Sequence, residues 1–188
     1  MKTLTEIAEQ YRTDKVGSIG HNYVSYYETL FKDPTAVHNV LEIGIGYPEL
    51  MVHVPDYITG ASLYMWRDYF PNAQIIGVDN NVDVLVEDDR IWSLSVDQSR
   101  ISDLISLRDG IPMQDLIVDD GSHKTEDQIL TMLVLCTHVE KEGYYIIEDV
   151  KEPDRIVEKV LDGFTYEVKE FNHTGGIDDR LVILQWKK

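Results

Sequence analysis

The pattern that most constrains this fold is a series of short apolar runs that each stop at a glycine or an acid. "HNVLEIGIG" ends in glycines, "QIIGVD" at Asp79 and "RIWSLSVD" at Asp97; "DLIVDD" ends at Asp119–Asp120, and "GYYIIEDV" carries Glu148–Asp149 near its end. Between these runs lie stretches with helical spacing. One spans Gly60 to Tyr69, with Leu63 and Trp66 apolar and Pro71 just beyond. The next, Arg100 to Leu107, leads into the turn "RDGIP", and Thr125 to His138 carries Ile129, Leu130, Leu133 and Val134 on one face. Helices are also expected from about Leu4 to Gln10, from Tyr23 to Phe31, and over "DRIVEKVL". Strands that alternate with helices imply a doubly wound, mostly parallel α/β sheet covered on both faces. The last two runs, "FTYEVKEF" and "RLVILQW", have only the loop "NHTGGIDD" between them, which implies an antiparallel C-terminal hairpin.

Bulk properties narrow the class. The 188 residues suit a single domain, and no repeat or linker divides them. No apolar run approaches the ~20 residues of a membrane span, and "MKTLTEIAEQYRTDK" lacks the apolar middle of a signal peptide. The single cysteine, Cys136, excludes an internal disulfide framework and fits a reducing compartment, so a cytoplasmic location is expected. Its flanks, "TMLVLCTHVE", read as core. The net charge of −17, from 34 acids against 17 bases, argues against a nucleic-acid partner.

In a doubly wound sheet, ligands bind beyond the carboxyl ends of the strands. "LEIGIG" places Glu42, Gly44 and Gly46 there, where glycine lets the backbone turn tightly against a ligand. A dinucleotide cradle needs a helix to open at once after the glycines. Here "YPELMVHVPDYITGAS" intervenes, with two prolines before helical spacing resumes. Asp79 could accept hydrogen bonds from ribose hydroxyls, and Asp97 with Gln98 could read an adenine edge; each alone reads more readily as a turn former than as a ligand. Together they favour an adenosine-bearing ligand without phosphates, a description that fits S-adenosylmethionine.

The fourth and fifth runs, adjacent in such a sheet at about 5 Å, bring Asp119, Asp120, Glu148 and Asp149 to one edge of the cleft. So many carboxylates cannot all stay ionised unless a cation joins them. Either a pKa rises or a metal binds, and oxygen ligation favours Mg²⁺ or Mn²⁺. The competing reading is a helix N-cap, supplied by Ser122 or Asp120. His123 reads as a general base, a metal ligand or a surface histidine of the cap region.

"YRTDKVGSIGHNYVSYYETLF", "VLEIGIG", "GASLYMWRDYFPNAQIIGVD", "DLIVDDGSH" and "YYIIEDV" together resemble the metal-dependent sugar O-methyltransferases of macrolide biosynthesis, from about Tyr11 to Val150. The resemblance implies a Rossmann-like class I methyltransferase fold with a seven-stranded sheet. It also implies methyl transfer from S-adenosylmethionine to a sugar hydroxyl of a glycan, nucleotide-sugar or glycosylated metabolite. Asp120, Glu148 and Asp149 would then hold Mg²⁺, with His123 as general base. Glu42, Gly44, Ser62, Asp79, Asp97 and Gln98 would line the cofactor site, with Asn80 and Asp119 on its cofactor side. Catechol or small-phenol methylation and a non-catalytic S-adenosylmethionine-binding module are the alternatives. The macrolide enzymes carry an additional N-terminal region, which leaves the acceptor and a homo-oligomeric state open. Residues 1–34 form an N-terminal helical segment in which His21, Tyr23, Tyr26 and Tyr27 could close over the cofactor, stack on a sugar, or simply pack. The loop "NHTGGIDDR", with His173 and Arg180, is expected near the acceptor.

Overall fold

A computed structural model of the protein describes residues 2–171 and 178–188. His173, expected near the acceptor, lies outside the described residues. Among the described residues the seven strands are β1 (Asn39–Ile43), β2 (Gln74–Asp79), β3 (Ile91–Ser95), β4 (Gln114–Asp119), β5 (Val139–Ile147), β6 (Phe164–Glu170) and β7 (Arg180–Trp186). They form one sheet in the order β3-β2-β1-β4-β5-β7-β6. The first five are parallel, whereas β7 runs antiparallel to both β5 and β6. This is the expected architecture, C-terminal hairpin included. The helices are α1 (Leu4–Tyr11), α2 (Val24–Leu30), α3 (Ala61–Tyr69), α4 (Ile101–Gly110), α5 (Thr125–Leu135) and α6 (Pro153–Val157).

Central strands bury both faces, and alternate residues feed two separate cores. Val40, Leu116, Val118, Ile146, Leu181 and Ile183 pack with α1, α2 and α3 around Trp66 and Tyr27. Leu41, Ile43, Ile76, Ile117, Tyr145, Ile147, Val182 and Leu184 pack on the other face with α4, α5 and α6. Cys136 is wholly buried in this second core, as its flanks implied.

The N-terminal segment is part of the first core. α1 opens with a capping box in which the Thr3 hydroxyl accepts from the Glu6 amide while the Glu6 carboxylate accepts from the Thr3 amide. Leu4, Ile7, Val16, Tyr23, Val24 and Tyr27 are at most 3 % exposed. Burial of each large apolar side chain is worth ~1.5–3 kcal/mol, so several such side chains anchor this segment to the sheet it covers. Tyr23 and Tyr27 point inward, whereas Tyr26 donates from an exposed position to Glu167 on β6.

Several boundaries differ from the sequence reading. β3 ends at Ser95, so Asp97 and Gln98 lie in the loop beyond it. The helix expected to stop at Leu107 continues through Gly110, where there is open space around the Cα, and ends ahead of Pro112. α5 gives way to a 3-10 turn at Cys136–His138. β5 begins at Val139, four residues earlier than expected, because a register shift opposite Gln114–Leu116 absorbs the charged "EKE" stretch.

Candidate active site

Beyond the strand ends the backbone ladder carries on for one further residue. The Gly44 amide donates to Val78 O at 2.8 Å, Asp120 to Ile43 O at 2.9 Å and Glu148 to Asp119 O at 2.9 Å. The glycine turn, the Asp120 loop and the Glu148–Asp149 pair are thereby fixed side by side. Gly44 has φ 96°, and a Cβ there would stand 2.1 Å from the Asp120 carbonyl oxygen, so only glycine allows this close approach.

Asp120, His123 and Asp149 come together as one cluster, with a donor atom from each within 4.8 Å of the others. His123 Nε2 is 3.1 Å from Asp120 Oδ1 and 3.6 Å from Asp149 Oδ2. Burial alone would depress the His123 imidazole, but the hydrogen bond and charge of Asp120, with Asp149 behind it, carry its pKa up to about 9. His123 and Asp149 both hold left-handed backbone, at φ 55° and 51°. Conformations of this kind cost of order 1 kcal/mol or more and cluster at functional sites. Tyr23 fixes Asp149 from the far side, its hydroxyl donating to Oδ1 at 2.6 Å. His21 stacks on Tyr23 and lies 3.4 Å from the same oxygen, with its other ring nitrogen 3.1 Å from Asp179. Burial and the charge of Asp120 raise the Asp149 carboxyl, opposed by His21 and His123. Asp120 is no helix cap: α5 starts at Thr125, and Ser122 instead bonds Asp127 and the Lys124 amide at its mouth.

The sequence reading missed the cation that these acids require. Lys15, on the loop between α1 and α2, donates to Asp120 Oδ2 and to Glu148 Oε2, each at 2.5 Å, and lies 3.2 Å from Glu42 Oε1. Its side chain is 2 % exposed. Burial would lower its pKa, but the charges of Asp120, Glu148 and Glu42 hold it well above the ordinary lysine value. Burial opposes ionisation of Asp120 as well, yet Lys15 and His123 keep that carboxyl far below its usual range. Glu148 is pushed up by burial and eased by Lys15 and by Tyr27, whose hydroxyl donates to Oε1 at 2.5 Å. Glu42, wholly buried, rises to about 7 for the same reason, with Lys15 again opposing. Seventeen lysines and arginines gave no periodic clue to which one turns inward.

A cavity of about 580 Å³ opens between the glycine turn and the Asp120 loop. Gly44, Gly46, Asp79, Asn80, Asp97, Gln98 and His123 line it. Among its described lining residues, aspartates 14, 79, 97, 120 and 127 face a single lysine or arginine, Lys124. Such a lining repels phosphates and suits a cationic, adenosine-sized ligand. Asp79 accepts from the Ile45 and Asn81 amides, and Asp97 from Ser99, so both also build the turns they end. Gln98 is turned inward: its amide nitrogen bonds Asp119 and Thr131, and its oxygen takes the Ser122 amide. Asp119 lies fully buried behind the wall between Gln98 and Tyr145, and burial carries it to about 7 against the pull of Gln98. Ser62 is buried in the first turn of α3. Arg180 bonds Glu170 and the Lys151 carbonyl, within the hairpin end of the sheet.

No protein-family model matches the chain. It is 35% identical over 153 residues to mycinamicin VI 2''-O-methyltransferase of Micromonospora griseorubida, a match that covers 78% of this chain and 36% of that protein. A Streptomyces olivaceus enzyme, 8-demethyl-8-(2-methoxy-alpha-L-rhamnosyl)-tetracenomycin-C 3'-O-methyltransferase, is 34% identical over 151 residues, with 78% and 36% covered. In sequence the chain is thus similar to O-methyltransferases named for glycosylated acceptors. It spans about a third of the length of these curated relatives. Among solved structures, the MycE methyltransferase of the mycinamycin pathway, determined with Mg and SAH, superposes with a TM-score of 0.78 at 23% identity, covering 100% of this chain and 55% of that one. The architecture is therefore the Rossmann-like class I methyltransferase fold.

Proposed function

We propose that the chain is an S-adenosylmethionine- and divalent-metal-dependent O-methyltransferase that acts on a sugar hydroxyl. The observation that carries this reading is the meeting of Asp120, His123 and Asp149 at the rim of an acid-lined cavity beside the glycine turn. Its relatives are named for methyl transfer to glycosylated acceptors, which supports the acceptor class.

The residues suit both groups. Asp120 and Asp149 would hold Mg²⁺ or Mn²⁺ through their outward oxygens; Glu148, outside the Asp120–His123–Asp149 cluster and with its side chain 2 % exposed, would add a ligand only through the lone pairs that Lys15 and Tyr27 leave free. When bound, the metal would lower the pKa of a coordinated hydroxyl. S-adenosylmethionine in the cavity would supply the methyl group, its positive charge matched by the lining aspartates. With a cation held by Asp120 and Asp149, the two carboxylates that raise the His123 imidazole would be neutralised, and its Nε2, released from Asp120, would take the acceptor proton. Tyr23 keeps Asp149 in place, and the inward Gln98 holds the loop that carries His123 by binding the Ser122 amide.

The test is methyl transfer to a panel of glycosides with vicinal hydroxyls, read by mass spectrometry. The expected result is transfer that disappears with EDTA and returns with Mg²⁺ or Mn²⁺. Transfer indifferent to EDTA would remove the metal, and transfer to catechols alone would replace the sugar.

A further inference from the structure

We propose that Lys15 is a positioning residue of this site, a fixed ammonium that aims Asp120 and Glu148 and limits how strongly they draw in a divalent cation. The inference rests on the metal reading above. Lys15 reaches the strand ends from the loop between α1 and α2, and its own carbonyl, which accepts from the Tyr23 and Val24 amides at 3.0 and 3.2 Å, ties that loop to α2. Its ammonium stands behind the acids, on the buried side, while the Asp120 side chain is 20 % exposed toward the cavity. With Oδ2 of Asp120 taken by Lys15, Oδ1 is the oxygen turned to His123. Glu148 likewise gives one oxygen to Lys15 and the other to Tyr27.

A purely stabilising role does not account for this arrangement. A buried ion pair seldom adds more stability than an apolar pair of the same volume, and Glu42 gains no well-formed hydrogen bond from it, only proximity at 3.2 Å. What the ammonium does supply is direction and charge at one place. It fixes which Asp120 oxygen is left to face His123, and as a like charge beside the metal it weakens metal binding.

The test is Mn²⁺ binding, measured by the electron paramagnetic resonance of free Mn²⁺ on the intact chain, with S-adenosylhomocysteine affinity by calorimetry alongside. Lys15→Met should bind Mn²⁺ about tenfold tighter or more, because a like charge a few ångström away is gone. Its S-adenosylhomocysteine affinity should stay within about threefold of wild type. Tyr27→Phe loosens Glu148 without a change of charge, so its Mn²⁺ affinity should stay within about threefold. A folded Lys15→Met with unchanged or weaker Mn²⁺ binding overturns the inference, as does an equal gain in Tyr27→Phe. If Lys15→Met is unfolded in EDTA, Mn²⁺ should restore its far-UV dichroism by supplying the missing charge, and a chain that stays unfolded overturns it too. Wild-type protein that takes up no Mn²⁺ removes the metal reading and this inference together, whereas normal wild-type binding with an indifferent Lys15→Met removes only the inference.

Discussion

Tyr27→Phe isolates one hydrogen bond at the base of the site. The Tyr27 ring packs edge-on against Trp66 with centroids 5.1 Å apart, and phenylalanine keeps that contact. What disappears is the hydroxyl that donates to Glu148 Oε1 at 2.5 Å, between two side chains almost wholly sealed from water. Water cannot replace it, so Oε1 is left without a donor while Oε2 keeps Lys15. Hydrogen bonds to charged groups contribute ~1.5–3 kcal/mol. For a chain of this size each kcal/mol moves Tm by ~2–4 °C, so the midpoint should fall by about 3–12 °C. Urea unfolding followed by tryptophan fluorescence should give the same loss with an unchanged m-value. In a Glu148→Gln background the loss should shrink by about 1 kcal/mol, because the acceptor is then neutral. A loss below about 0.5 kcal/mol, the range of ordinary surface changes, or one of equal size in both backgrounds, would show that the Tyr27–Glu148 bond is not what holds this corner.

Three further outcomes follow from the same site and its surrounding core. His123→Ala should lower turnover by about 10²–10⁴-fold with S-adenosylhomocysteine binding nearly intact, and single-turnover kinetics beside calorimetry would expose a parallel loss of both. Gly44→Ala should abolish cofactor binding, since its Cβ would meet the Asp120 carbonyl at 2.1 Å; a variant that still binds tightly by calorimetry would mean the turn can open. Burial raises the Cys136 thiol to about 11, so at pH 8 a thiol reagent should label it only when urea unfolds the chain, and prompt labelling of native protein would place Cys136 elsewhere.

The sheet was legible because its strands carry their own stop signals. "QIIGVD" and "RLVILQW" match the boundaries of β2 and β7, and the neighbouring acids of "LIVDD" and "YYIIED" are neighbours in space. Asp120 and Asp149 were readable for that reason, since β4 and β5 pair directly. Side-chain direction was not readable. Gln98 lines the cavity, yet its amide nitrogen turns away to bond Asp119, which lies wholly buried behind it, because an amide and a buried acid satisfy one another better than either satisfies solvent. Lys15 escaped, and so did the Asp149 partner of Tyr23, because the contacts of Lys15 with Glu148 and of Tyr23 with Asp149 bridge 133 and 126 residues, and no local spacing encodes such a pairing. The need for a cation was visible in the crowded acids; its source was not.

Gln98 has a consequence for anyone who would retune this protein. Its amide joins the loop after β3 to β4 through Asp119, to α5 through Thr131 and to the Ser122 amide, and Gly121 lies so close over it that a Cβ would stand 2.0 Å from Oε1. The wall of the cavity and the loop that bears Asp120 and His123 are thus one braced unit. Recutting the pocket for a bulkier donor would also re-aim the acceptor chemistry, so libraries that diversify residues 97–99 and 120–123 should vary them jointly.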